Sequence, residues 1–177
     1  MLTKIMNNNM SKTQFEQLLE NYNYLCRYCD AFFEKIHQIY NAEMKCQAGC
    51  DFCCELESVT EIEAFVIADF LENTSLKIIP NSGKQCVFLN EGRCQIYPVR
   101  PIICRTHGLI LHDSFENLFS RTCNLNFSDR EIDQLNPKHC LDSVNITENL
   151  IRLNMAFLQL TDQHSNPQNR IFLKDLL

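Results

Sequence analysis

A chain of 177 residues, 45% hydrophobic and 21% charged, has the length of about one domain and enough apolar material for a core. Its formal charge of −6, with no Lys/Arg cluster, goes against nucleic acid as a partner, because a phosphate-binding surface needs a basic face. Four glycines and five prolines exclude a collagen-like or low-complexity chain, and no apolar run approaches the ~20 residues of a membrane span.

The opening MLTKIMNNNM reads as a frayed leader. It lacks the run of about 7–15 apolar residues of a secretory signal, so the expected compartment is cytoplasmic, where thiols stay reduced. From Ser11 to Met44 apolar residues recur at steps of three and four, from Phe15 and Leu18 through Cys26 and Cys29 to Ile36 and Tyr40. That spacing predicts one amphipathic helix, with Thr13 as N-cap and Glu16 three residues on. Residues 45–57 form a cysteine loop broken by Gly49. Ser58 and Glu61 predict a second capping box and a helix to Asn73. A loop to Gly83 follows, with Ile78 and Ile79 as a short strand.

Cys86 to Tyr97 reads as a hairpin with its turn at Asn90-Glu91-Gly92. Pro98 and Pro101 force a turn, and PIICR opens a short helix with Pro101 at its first position. GLILH and NLNF, within 108–127, are expected strands. Ser128-Asp129 is expected to cap a brief helix to Leu135, stopped by Pro137. The last helix is expected over Thr147 to Gln163, and the apolar tail from Arg170 to Leu177 docks back on the rest. No repeat and no linker divides the chain. The expected fold class is mainly α, a single compact domain over 1–177 with a small irregular cysteine-rich β-hairpin insert, in which residues 46–123 form the metal-binding core.

Eight of the eleven cysteines carry the functional signal. Cys46, Cys50, Cys53 and Cys54 fall within the nonapeptide CQAGCDFCC, and Cys86, Cys94, Cys104 and Cys123 follow. The odd total does not pair off in disulfides. Neighbouring Cα atoms at about 3.8 Å are too close for an unstrained bridge between Cys53 and Cys54. Crowded thiolates in a reducing compartment are metal ligands. Soft thiolates select zinc, copper(I) or iron–sulfur clusters, and both zinc and clusters take four of them, so eight permit two sites or one site with spare thiols. Cys26 and Cys29, on the buried stripe of the first helix, read as core packing, and Cys140 has no ligand-spaced partner. His107, three after Cys104, is read as an ordinary histidine rather than a ligand. Of the basic residues near the cysteines (Lys45, Arg93, Arg105, Arg121), Arg105, together with Arg100, is the best candidate to support thiolate charge.

The series CQAGCDFCC and CVFLNEGRCQIYPVRPIICR resembles the YkgJ-type cysteine cluster family, the CxxxCxxCC proteins described as zinc- or iron-chelating domains. Cys86, Phe88, Leu89, Cys94, Ile96, Tyr97, Arg100, Pro101, Cys104 and Arg105 fall in place, and Cys123 resembles the family's last cysteine. The resemblance spans about residues 46–123. It implies a metal centre and, because the family includes flagellin lysine methylases, a methylase-like reaction dependent on an iron–sulfur cluster and S-adenosylmethionine as one alternative.

The reading is therefore a metal-binding protein with a cysteine-ligated centre. An iron–sulfur cluster is preferred and Zn²⁺ is the alternative. A third alternative is a structural zinc module that presents a surface to a protein partner. The triplet Cys46, Cys50, Cys53 with Phe52 also matches the radical S-adenosylmethionine signature, but the chain continues into a helix and cysteine loops instead of a partial βα barrel. No triad, phosphate loop or paired carboxylates can be assigned; Glu55 and Glu57 read as surface carboxylates. Neither nucleic acid nor membrane is an expected partner.

Overall fold

A computed structural model of the chain describes residues 12–161 and 166–177. The expectation for the leader lies outside them. Helix α1, Lys12–Ile39, buries Phe15, Leu18, Tyr22, Leu25, Cys26, Cys29 and Ile36 along one stripe, as the three–four spacing predicts. Thr13 stands inside the helix and does not cap it. The helix gives way after Ile39 to turns, in which the Tyr40 carbonyl accepts both the Glu43 and Met44 N–H groups.

Helix α2, Glu61–Asn73, ends where predicted but starts from a different cap. Ser58 belongs to strand β1, Ser58–Val59, which pairs antiparallel with β7, Ile171–Phe172, and is not free to cap. Thr60 takes that place. The Glu63 carboxylate accepts from the Thr60 backbone N–H at 3.0 Å and from its hydroxyl at 2.8 Å. α2 is apolar on two sides: Ile62 and Phe65 enter the main core with α1, and Ala64 and Ile67 enter a second cluster with Val59, Phe88, Ile96 and Leu173.

Strands β2, Leu89–Asn90, and β3, Arg93–Cys94, form the expected hairpin in the register Leu89↔Cys94. Its two-residue turn needs positive φ at both positions, met by Glu91 at +47° and Gly92 at +71°. A single turn of 3₁₀-helix, Tyr97–Val99, leads to helix α3, Ile102–Thr106, with Pro101 as its N-cap. Strand β4, Ile110–Asp113, lies between β5, Leu118–Arg121, and β6, Leu141–Asp142. β4 is the expected GLILH strand. The NLNF strand is a correction: Asn124 to Phe127 form a loop, Phe127 sits at φ +54°, and the strand is LFSR instead. The Ile78–Ile79 strand is also absent. The Gln95 side chain bonds both backbone groups of Ile79 and takes the place of a partner strand.

The brief helix expected from Ser128-Asp129 to Leu135 is instead a short 3₁₀ turn, Ile132–Gln134, and a second 3₁₀ turn, Pro137–His139, follows it. Helix α4, Ser143–Leu160, begins four residues before the expected Thr147, because Asp142 caps it by accepting the Asn145 N–H at 3.0 Å. The expected end at Gln163 lies outside the described residues. α4 packs on α1 and α2 through Phe157, whose ring centroid is 6.1 Å from Phe15 and 5.5 Å from Phe65. The tail docks as expected: β7 leads into the 3₁₀ turn Leu173–Leu176, and Leu173 is 1% exposed. Strands are short and helices dominate, so the fold is mainly α. Among the described residues no helix is long and apolar enough to cross a membrane.

Candidate metal centre

The eight cysteines lie on four segments: the first loop, the hairpin, α3 and the loop after β5. The first loop turns at Gly49, φ +90°, which an L side chain would oppose. The hairpin tip meets that loop: a Cβ on Gly92 would stand 3.4 Å from the Gly49 carbonyl oxygen. Residues 85–86 run beside 51–54, since the Cys86 N–H donates to the Cys54 carbonyl at 2.7 Å and the Gln85 amide to that of Asp51 at 3.4 Å. Cys94 lies on β3, Cys104 on α3, and Cys123 in the loop after β5. Cys53 and Cys104 are exposed, Cys123 is buried, and the other five are half-buried.

Burial raises the Cys46 thiol, against the hydrogen bond from Asn126, and the charges of Cys123, Cys53 and Cys50 add to that rise. Cys54 is lowered chiefly by a hydrogen bond from Cys53, against burial and the charges of Cys94, Cys104 and Cys86. Cys104 counts as an exposed residue, yet desolvation pushes its thiol up to about 12, with the charges of Cys94, Cys86 and Cys53 contributing. Cys86 and Cys94 are raised mainly by burial. Cys50, Cys53 and Cys123 thus act on Cys46, and Cys86, Cys94 and Cys104 on Cys54, while Cys53, hydrogen-bonded to Cys54 and acting on Cys104 as well, belongs to both surroundings. Among the described residues, no three His, Cys, Asp or Glu side chains already form a group that could hold a metal ion. The donor chemistry suits a soft metal, and the thiols stand open.

Two buried polar assemblies fix this arrangement. The second Glu63 oxygen accepts the Ile102 N–H at 3.0 Å, so one carboxylate joins the start of α2 to the start of the helix bearing Cys104. Arg105, 7% exposed, pairs with Asp30 of α1 and donates to the Pro98 and Arg100 carbonyls at 3.0 and 2.9 Å. Arg100 reaches the other Asp30 oxygen at 2.7 Å and lies 4.0 Å over the Tyr97 ring. The expected support of thiolates by both arginines therefore needs correction. Arg100 does lower Cys94, but Arg105 faces Asp30 and the core thiols Cys26 and Cys29. Lys45 bonds the Ala42 carbonyl, and Arg121 bonds those of Phe127 and Arg130. His107 is held below its ordinary value by burial, against the charge of nearby Glu55. Glu55 and Glu57 are exposed.

Cys26 and Cys29 lie in the core at 5% and 0% exposure, as expected. Cys140, also buried, packs in the same cluster, away from the eight. Sequence reasoning missed three residues: Glu63, Asp30 and Asn126. Asn126 is fully enclosed and its amide touches Cys46. Asp30 had a signal, a carboxylate directly after a stripe cysteine on the way to two motif arginines. The other two had none.

The sequence model of a family described as "CxxCxxCC: Putative zinc- or iron-chelating domain" matches residues 45–140, a stretch that includes all eight cysteines. An uncharacterized protein of Methanocaldococcus jannaschii, MJ0661, is 32% identical over a segment covering 32% of this chain and 40% of that protein. The chain thus spans well under half of that relative's length. No solved structure matches.

Proposed function

Because the chain belongs to the CxxCxxCC family of zinc- or iron-chelating domains, we propose that Cys46, Cys50, Cys53, Cys54, Cys86, Cys94, Cys104 and Cys123 bind metal as thiolates in two sets of four. What supports this reading is that Cys50, Cys53 and Cys123 act on Cys46, and Cys86, Cys94 and Cys104 on Cys54, from segments far apart in sequence. Four thiolates match the ligand count of one tetrahedral zinc or one cluster. No histidine joins either set. The first reading of the centre is iron–sulfur, since the donors are all sulfur; Zn²⁺ suits the same thiolates.

The open thiols and the Cys53–Cys54 hydrogen bond mean that metal uptake draws the first loop together, so metal binding orders residues 46–54. Each ligand must lose its proton to bind, and the raised values of Cys46, Cys86, Cys94 and Cys104 make that the opposing cost.

Anaerobic isolation followed by iron, sulfide and zinc analysis tests the reading. Brown protein with iron and sulfide supports a cluster, colourless protein with about two zinc ions per chain supports zinc, and fully folded protein free of both refutes metal binding. Cys50→Ser and Cys94→Ser separate the two sets: each variant is expected to keep about half the metal. Loss of all metal in both variants would instead mean one shared centre. Cys140→Ala, which alters a buried thiol outside the sets, is expected to keep full occupancy.

A further inference from the structure

Asn126 lies in the loop after β5 with 0% exposure, so its amide must be satisfied by protein. Its neighbours dictate which way that amide faces. Oδ1 accepts the Lys45 backbone N–H at 2.7 Å, and a backbone N–H only donates. Nδ2 donates to the Gly108 carbonyl at 2.8 Å, and a carbonyl only accepts. One amide hydrogen is left, and it meets the Cys46 Sγ, 3.2 Å from Nδ2. A neutral thiol accepts hydrogen bonds weakly, whereas an ionised acceptor does so about twice as well. The donor is set for a sulfur that carries charge.

The backbone is shaped for this contact. Gly108 sits at φ +96°, and a Cβ there would stand 2.8 Å from the Cys46 Sγ and 2.9 Å from Asn126 Nδ2. Its N–H is held by the Thr122 hydroxyl at 2.7 Å, which in turn donates to the Leu109 carbonyl at 2.8 Å. The Asn126 N–H bonds the Cys123 carbonyl at 3.2 Å, which ties the amide to a second cysteine of the same set. Three segments are therefore fastened around one sulfur, and a neutral amide occupies the place where a cation was expected.

We infer that Asn126 is a positioning residue of the metal centre, donating an N–H···S hydrogen bond that holds the Cys46 sulfur as a metal-bound thiolate. The inference rests on the thiolate centre proposed above. Such donors steady a ligand's orientation and tune how strongly its sulfur gives electron density to the metal.

The test is Zn²⁺ affinity and the thiolate-to-Co²⁺ charge-transfer band of the 177-residue chain, compared with Asn126→Asp and Asn154→Ala. Asn126→Asp keeps the acceptor for Lys45 and turns an oxygen towards the sulfur. Asn154, 1% exposed, caps α2 through the Ile62 N–H and touches no sulfur, so it controls for the loss of a buried amide. Asn126→Asp is expected to weaken Zn²⁺ binding about 10- to 100-fold and to shift the Co²⁺ band. Asn154→Ala is expected to lower stability and leave both readouts in place. Equal affinity and an unshifted band in Asn126→Asp overturn the inference while leaving the metal centre intact. A folded wild-type protein that takes up neither ion and, isolated anaerobically, holds no iron overturns both. Should Asn126→Asp fail to fold, wild-type protein loaded with an NMR-active cadmium isotope decides the matter. A scalar coupling between the metal and one Asn126 amide hydrogen is expected, and its absence overturns the inference.

Discussion

Glu63 is 2% exposed, and every partner it has is a donor: the Thr60 N–H and hydroxyl at one oxygen, the Ile102 N–H at the other. Its charge sits at the N-terminus of α2, where the helix dipole favours an anion. Glutamine has nearly the same shape but must turn its NH₂ towards a group that only donates. Glu63→Gln therefore leaves a buried N–H unpaired whichever way the amide faces, at a cost of about 1–3 kcal/mol. For a chain of this size that is a drop in Tm of a few degrees, on the order of 2–4 °C per kcal/mol. Because one of the freed donors begins the helix bearing Cys104, Zn²⁺ affinity is expected to fall as well. Calorimetry and a zinc titration of the same variant check both effects; unchanged Tm would mean the carboxylate is not what joins the two helix starts. Asn126 makes the same point on the other side of the site. Two buried polar side chains, neither a cysteine nor a cation, decide where the sulfurs stand.

Among elements, α1 and the segment 97–106 are held to each other by one aspartate. Asp30 pairs with both Arg100 and Arg105, and Arg105 is nearly enclosed. Asp30→Ala strands a buried guanidinium, although two carbonyl hydrogen bonds to Arg105 remain. The expected loss is about 2 kcal/mol, the range of hydrogen bonds to charged groups, because Asp30 itself is partly exposed. Arg105→Lys is expected to cost a similar amount, since an ammonium cannot span the carboxylate and two carbonyls in the planar geometry of a guanidinium. Urea unfolding of both variants gives the comparison, and a loss within error of zero would reduce the pair to surface charge. The same segment shows what the sequence carries and what it omits. Periodicity and turn residues placed α1 and its cysteine stripe, the hairpin with its turn within Asn90-Glu91-Gly92, and the end of α2, because each depends on residues within a few positions. The caps at Thr60 and Asp142 were misplaced because competing pairings decide them: Ser58 is taken by β7, more than a hundred residues away in sequence. LFSR outcompetes NLNF as a strand because Phe127 is drawn into the core and its N–H to the Glu43 carbonyl at 3.0 Å. At the site, clustering and spacing pointed to the cysteine segment that the family model matches. The grouping of its cysteines and their polar supports depend on long-range contacts that no local pattern records.

Across the whole molecule, a thiol that binds metal and a thiol sealed in the core of α1 respond oppositely to pH. A metal ligand must lose its proton, so binding strengthens as pH rises. A sealed thiol must keep its proton. Cys29 is 0% exposed and burial pushes it up to about 12; Cys140 is pushed up to about 11 by the same cause, and Cys26 is raised. An unfolded thiol ionises near 8.5. Above that pH the unfolded chain holds fewer protons than the native one, so the slope of unfolding free energy with pH is negative. The contribution of Cys29 is whole below about 8.5 and is lost progressively as pH rises towards about 12. Through most of that window the loss is up to about 1.4 kcal/mol per pH unit for one thiol. Cys29→Ala removes the titrating group. Its unfolding free energy starts lower, because a buried sulfur is gone, yet it should fall less steeply between about pH 9 and 11 than that of the wild type. Both proteins must be compared in the same metal state, so that the ligand thiolates cancel. Parallel slopes would mean that Cys29 reaches solvent on the timescale of the measurement, and that the stripe along α1 is not the sealed core on which the cysteine segments rest.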